Sequence, residues 1–497
     1  MARRPIVKGA MWLGGSRVFV NLLGLASTLV LARLLTPADF GLVALAEAVF
    51  VIVGAMTELS LAQSLVQHRE PQPHHFDTAF TLNLARSVLL GAGLAAIAVP
   101  IAQVYGDERL RDVVLVLALA TAVGGLQNPK LVVFQRKLVF WQDFLLNVGS
   151  KFAGLVVALL IAYVYRSYWA LILGSFSAQA LRVALSYAVL PSIPRFSVRG
   201  ARELLSFSFW LTLSSGIKTA TWRFDPLLLG LVLPQASVGH YTFGSRLGST
   251  PVRESLGPLR MLLFPAFARM QDEPFRMRRA YRLAQAVLFF LAMPLATGFA
   301  FVAEPVVLLA IGEKWLPAVP VIQAIALLSA LNQLENSHPL AMSLGRTKSV
   351  FERDLRVFAI RLPLVIGGLL IGQASALGAI MGVVLGRSAA TFMNIGLNMK
   401  LVEQLIGDTP GEQLQIAYRP VLAAGAMAGV LLLLFDHAAA AADMMAVAAM
   451  LFVVVPTGAA VYFGTILLLW RIAGRPEGAE RELLSGLKAA RGRLLSK

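Results

Sequence analysis

Apolar residues along this chain gather into long runs rather than into short alternating or amphipathic segments. Runs of roughly 18 to 28 residues with little charge follow one another from end to end, each long enough to cross a hydrocarbon core of about 30 Å as a helix. They lie near 11–35, 41–66, 76–101, 111–135, 141–163, 168–190 and 204–231, then near 238–263, 282–303, 318–344, 355–371, 376–399, 419–435 and 443–470. About fourteen helices are expected, because backbone facing lipid must satisfy its own hydrogen bonds. The fold class predicted is therefore an all-α polytopic membrane protein. The longest connections fall near 264–281 and 400–418. Neither could hold a folded catalytic domain, so the working parts belong inside the bundle.

Composition sharpens this reading. The 497 residues are 57% hydrophobic and 14% charged, with a mean hydropathy of +0.72, whereas soluble domains carry about 25% charge. A soluble enzyme is excluded. Without cysteine there is no disulfide framework, thiolate metal site or cysteine nucleophile. The six histidines show no metal-ligand spacing. Forty-four Lys and Arg against 27 Asp and Glu leave a net charge of +17, and the distribution of that excess decides its meaning. Counted on alternate sides of the predicted spans, about 28 loop cations fall on one side and about 4 on the other, which makes the rich side and both termini cytoplasmic. The excess thus reads as topology, with no call for nucleic acid. The first run, preceded by Arg3, Arg4 and Lys8, is expected to be an uncleaved span. Residues 476–497 place leucines among Arg481, Lys488, Arg491 and Arg493, a spacing that suits a cationic helix on the inner leaflet or a solvated tail.

The chain also resembles itself. Trp12 aligns with Trp210, Ser16 with Ser214 and Gly41 with Gly239, each pair 198 residues apart. An even number of spans per unit makes these parallel repeats about an axis along the membrane normal. The expected organisation is a six-helix lobe over 1–200, a second over 201–400, two additional helices over 401–475 and the basic tail over 476–497.

About twelve cations remain at membrane depth, where each costs at least about 2.5 kcal/mol and so faces an interior or a watery cavity. Arg33, Lys151, Arg260 and Arg361 lie near predicted ends and can snorkel to the interface. On the eighth span Arg246, Arg253 and Arg260 are spaced seven and seven, so they form one stripe with steps of about 10.5 Å. Such a stripe facing a cavity would attract phosphate or acidic sugar, since Arg holds oxyanions in a bidentate fork. The alternative is neutralisation by acids. By depth Asp225 lies level with Arg246, and Glu254 with Lys218, which leaves Arg223 and Arg253 unpaired. In the first lobe Arg17 is level with Glu58, while Glu47 lies deeper with only Arg33 near. Glu47, Glu58 and Asp225 are the candidates for ion coupling or for ion pairing. Glu335, Arg361 and Arg387 read as packing charges.

Two stretches carry a family resemblance. The first is Ala-Arg-Leu-Leu-Thr-Pro-Ala-Asp-Phe-Gly-Leu-Val-Ala-Leu-Ala over 32–46, followed by Thr-Glu-Leu-Ser-Leu-Ala-Gln-Ser-Leu-Val-Gln over 57–67. The second is Trp-Arg-Phe-Asp-Pro over 222–226, then Val-Gly-His-Tyr over 238–241 and Leu-Phe-Pro over 263–265. With these, nearly the whole chain resembles the Wzx-type polysaccharide flippases of the MOP superfamily, most of all the colanic-acid-exporter-like subgroup. The resemblance implies two six-helix lobes in a V, alternately open to each side. It implies a cargo of undecaprenyl-diphosphate-linked oligosaccharide moved to the outer leaflet of a bacterial inner membrane, with no bond broken, and polysaccharide polymerase and export proteins as partners. Family members carry essential charges in the first, second, seventh and eighth spans. Here Arg17, Glu58, Lys218, Arg223, Asp225, Arg246 and Arg253 stand there. No cofactor is implied beyond coupling to H+ or Na+. The rival readings are a drug antiporter of the same superfamily, whose cationic cargo suits an arginine-rich site poorly, and a membrane glycosyltransferase or ligase, which would need acidic or histidine catalysts in a sizeable outer loop.

Overall fold

The computed structural model describes residues 19–21, 23–59, 61, 64–65, 71–136, 141–202, 209–438, 444–475 and 478–481. Among these, every regular element is a helix. The expected spans correspond in order to α1 (Phe19–Leu34), α2 (Pro37–Met56), α3 (Pro73–Tyr105), α4 (Arg109–Gly124), α5 (Trp141–Tyr165), α6 (Trp169–Val189), α7 (Phe209–Gly230), α8 (Gln235–Ala268) and α9 (Pro274–Ala310). They continue as α10 (Val319–Leu331) with α11 (Ser337–Ser343), then α12 (Thr347–Ala374), α13 (Gly378–Ile406), α14 (Tyr418–Ala438) and α15 (Met444–Ile472).

Ten of the described helical segments are long and apolar enough to cross a membrane, which makes this a multi-pass membrane protein. The expected count of about fourteen is therefore met only in part by apolar length. α4 has 16 residues, while α7 holds Lys218, Arg223 and Asp225 and α8 holds Arg246, Arg253, Glu254 and Arg260. Charge removes α7 from the purely apolar class, and in α8 it acts together with the Gln, Ser, His and Thr residues of the first half.

Helix ends shift from the hydropathy reading at many places, and two of the departures have a local reason. α2 starts at Pro37, where Thr36 and Asp39 form a capping box: the Asp39 N–H donates to Thr36 Oγ1 at 3.3 Å and the Thr36 N–H to Asp39 Oδ2 at 2.9 Å. That arrangement satisfies two orphan donors of the first turn. The helix stops at Met56, well before residue 66, because Arg86 of α3 takes its terminal carbonyls, donating to Thr57 O at 2.5 Å and Gly54 O at 2.8 Å. A cation there also suits the negative helix end. The second difference is larger. The run expected as one helix over 318–344 is interrupted, with 3-10 turns at Glu313–Ala318 and Asn332–Glu335 on either side of α10.

The chain divides into two compact units, Met1–Thr242 and Phe243–Lys497. In unit 1 α3 packs on α4, α5 on α6 and α2 on α7. α2 also meets the first turns of α8. A Cβ on Gly41 would overlap the Gln235 carbonyl and lie 2.9 Å from Gly239 N, and a Cβ on Gly239 would overlap the Pro37 carbonyl and lie 3.1 Å from Gly41 N. The contact is reciprocal: Pro37 and Gln235 are 198 residues apart, as are Gly41 and Gly239. The two segments aligned by the sequence repeat thus cross one another about a local two-fold.

Unit 2 centres on α9, which packs against α10, α14 and α15. Phe289 and Phe290 sit in a core with Tyr462, whose hydroxyl donates to Phe290 O at 2.8 Å. α12 and α13 approach through Gly368 and Gly382, each of which would drive a Cβ into the other's carbonyl. Small residues at such crossings let backbones close where lipid supplies no hydrophobic drive. At the edge of this unit Arg278 and Arg282 of α9 clasp the buried Asp408 at 3.1 and 2.5 Å. Arg419 holds Glu480 at 2.7 Å. The proposed tail helix over 476–497 otherwise lies outside the described residues.

Candidate functional site

The residues expected to handle the cargo or its coupling ion fall into three groups. Arg17 lies outside the described residues. In unit 1 Glu47 is half-buried on α2, whereas Glu58 is exposed just past its end, close enough to act electrostatically on Arg86. Lys218 and Arg223 are exposed on α7. Asp225, about two turns further from Lys218 along the same helix, is buried, and it accepts a 2.6 Å hydrogen bond from Tyr241 Oη of α8. That bond joins the two halves of the second motif, the Asp of Arg-Phe-Asp-Pro and the Tyr of Gly-His-Tyr. It ties α7 to α8 next to the glycine crossing.

In unit 2 the arginine series runs along α8. Arg246 and Arg253 are exposed and Arg260 is half-buried. Arg253 is not left unpaired, as the depth argument had it: Nε donates to Glu254 Oε1 at 2.8 Å. An exposed neighbouring pair of this kind holds its partner weakly. Arg260 donates from Nε and Nη2 to Gln333 Oε1 at 3.1 and 2.5 Å, and so points inward to a side chain of the interrupted span. Arg361 likewise does not snorkel, being 6% exposed.

Sequence reasoning missed the centre to which these two arginines belong. Asn332, Gln333, Glu335, Asn336 and Ser337 form a polar run inside an otherwise apolar segment. That run was the available signal. Neighbouring helices of unit 2 supply polar partners: Asn336 donates to Gln285 at 3.4 Å, Asn398 donates to Leu334 O at 2.9 Å and Ser337 pairs with Asn398. Among the described residues no cluster of His, Asp and Glu could hold a metal ion.

Helices of membrane length, with charges on the segments that interrupt their apolar pattern, define a multi-pass membrane protein. The family is shown by the match to the model described as "Polysaccharide biosynthesis protein" over residues 30–320, more than half of the chain. The chain belongs to this family, the Wzx-type flippase group of the MOP superfamily, and is a transporter rather than an enzyme. It is 24% identical to the lipopolysaccharide biosynthesis protein WzxC of Escherichia coli (strain K12), over 80% of this chain and 82% of that one. It is 29% identical to the succinoglycan biosynthesis transport protein ExoT of Rhizobium meliloti (strain 1021), over 60% of this chain and 61% of that one. Its fold is similar to that of the lipid II flippase MurJ in an inward closed conformation, with a TM-score of 0.70 at 13% identity, covering 94% of this chain and 100% of that one.

Proposed function

We propose that this protein flips undecaprenyl-diphosphate-linked oligosaccharide repeat units from the cytoplasmic to the periplasmic leaflet of the bacterial inner membrane, by alternating access between lobes over 1–200 and 201–400. In this reading α1, α4, α7 and α8 also cross the membrane, giving about fourteen spans, with 401–475 as two additional helices and both termini cytoplasmic. Polysaccharide polymerase and export proteins would act on the delivered unit. The observation that carries the reading is the arginine series of α8. Arg246, Arg253 and Arg260 extend over about 21 Å of helix, most of a hydrocarbon core, and two of the three keep an exposed guanidinium.

The diphosphate would enter from the inner leaflet at Arg17, Arg253 and Arg260 and pass outward to Arg246, near the depth of Arg223, while the polyprenyl chain stays in lipid. Lys218 would hold the sugar-proximal phosphate. Glu47, Glu58, Asp225 and Glu254 would pair with these cations between passages or carry the coupling ion, H+ or Na+. A stripe of cations favours this cargo over the cationic substrates of a drug antiporter. The test is leaflet reorientation of a lipid-diphosphate oligosaccharide in proteoliposomes containing the native protein, Arg246→Ala or Arg253→Ala. Protein-dependent reorientation that drops by about tenfold or more in each variant supports the track. Full activity in both variants, with normal insertion, sinks the cationic route, and an inactive native protein under imposed ion gradients sinks the flippase.

A further inference from the structure

The interruption after α10 falls inside Glu313–Ser343, a segment long and apolar enough to cross a membrane. A break at membrane depth persists only where protein or an internal cavity covers it, and broken helices in transporters gather charged ligands. The polar turn Asn332–Glu335 is covered by side chains from α8, α9, α12 and α13, all within unit 2. Arg260 of α8 is held on Gln333. Arg353 of α12 donates to Asn394 Oδ1 of α13 at 3.2 Å and pairs with its neighbour Asp354 at 3.1 Å.

Glu335 stands in the combined field of Arg353, Arg361 and Arg260, with Asn394 in hydrogen-bonding reach. Its Oε1 is nevertheless buried without a hydrogen-bond partner, and so is the Nε donor of Arg353. Buried orphans of both polarities in one polar cluster, Asn332 Oδ1 among them, call for an explanation, because a hydrogen bond left unmade in the interior is costly. The charges do not balance either. Three guanidiniums face the carboxylates Glu335 and Asp354. His338 of α11, 3.9 Å from Asp354, and Tyr281 of α9, bonded to Gln285 at 2.7 Å and within the field of Arg353 and Asp408, are further titratable groups beside it. With His338 neutral the cluster carries one surplus positive charge, and two when Glu335 is protonated.

We propose that this break is an oxyanion subsite gated by Glu335. The ionised carboxylate occupies the arginine cluster itself. Once protonated, it yields Arg260 and Arg353 to a phosphate or carboxylate oxygen of the cargo, toward which its own O–H donates. One proton is taken up per anion bound; an anion of charge −2 cancels both surplus charges that this leaves, and a carboxylate one of them. The identity of the cargo rests on the flippase reading; the subsite itself rests on unit 2.

The test is calorimetric titration of the purified full chain with sulfate, a tetrahedral dianion standing for the diphosphate, and with glucuronate, a carboxylate standing for an acidic sugar. Neither probe changes charge between roughly pH 5.5 and pH 8.5, so a slope belongs to the protein. The native chain is expected to bind one probe at least about tenfold more weakly at the upper pH, and the probe that binds tells diphosphate from sugar acid. Glu335→Gln should bind tightly without a slope, Glu335→Asp should keep the slope, and Arg353→Gln should lose binding. Failure of both probes to bind, pH-independent binding by the native chain, or an unchanged slope in Glu335→Gln overturns the proposal. Leaflet reorientation measured on the same preparations separates the two readings. Reorientation with pH-independent binding removes the subsite and leaves the flippase, and gated binding without reorientation does the reverse.

Discussion

Two places where apolar packing gives way to something else behave in opposite manners. In unit 1, α2 crosses α8 at Gly41 and Gly239 with backbone against backbone. In unit 2, the break after α10 is clasped by arginines, amides and carboxylates from neighbouring helices. The glycine crossing is held by short-range dispersion, which loses about a quarter to a half of its strength within an ångström of separation and strands no polar group when lost. The polar clasp cannot open without leaving charges unpaired in a medium that solvates them poorly. A contact of the first kind suits a surface that parts and closes in each cycle. The second kind moves only when a proton or an anion compensates it.

The comparison breaks most sharply at Gly41. Gly41→Ala puts a methyl group into the Gln235 carbonyl, whereas a Cβ on Gly54 of the same helix meets open space. Leaflet reorientation should fall by about tenfold or more in Gly41→Ala, since overpacking against backbone costs about 1–3 kcal/mol, and stay native in Gly54→Ala. Equal activities would show that the crossing does not participate. Next is Gln333→Leu, which removes the acceptor of the half-buried Arg260 and is expected to destabilise the protein by about 1.5–3 kcal/mol. A lowered melting temperature in detergent would register this, and an unchanged one would mean that Arg260 finds another acceptor.

Tyr241→Phe examines the polar tie beside the glycine crossing. Removing the hydroxyl from Asp225 should cost about 1–3 kcal/mol, so it is expected to lower the melting temperature less than Gln333→Leu does. A larger loss would place the strength of this region in the hydrogen bond rather than in the glycines. The smallest effect belongs to Asp107, in the connection between α3 and α4. Its carboxyl is held below the usual carboxylate range by a side-chain hydrogen bond from Arg109. A depressed folded-state pKa contributes stability above the ordinary carboxylate range, and that contribution disappears as pH falls through the depressed value. Asp107→Asn should therefore melt slightly lower than native near neutrality and equal to it in strong acid. An advantage that persists in acid would exclude titration as its source.

The family could be read from residues 32–46 and 222–241 because their short motifs perform local tasks. Thr36 and Asp39 cap α2, and Asp225 and Tyr241 bond to each other. The alignment of Gly41 with Gly239 has a similar local reason, since the two meet at a crossing that tolerates no Cβ. The convergence of polar side chains around Glu335 was not legible. Hydropathy averages the polar run of 332–337 into its apolar surroundings, and nothing in the order of residues shows that Arg260, Arg353 and Arg361 converge on it.

By itself the sequence determined that the chain lies in a membrane as a set of helices, and it also marked the eighth span as the most cationic. These are consequences of transfer free energy and backbone hydrogen bonding, which act segment by segment and need no knowledge of neighbours. Tertiary structure alone decided where α2 stops, where the tenth span breaks, and which arginines turn inward. Those outcomes depend on partners far apart in the chain: Arg86 on the carbonyls of 54 and 57, Arg260 on Gln333, and Arg353 beside Asn394. A buried charge settles where its counterpart happens to be, and only the folded bundle brings the two together.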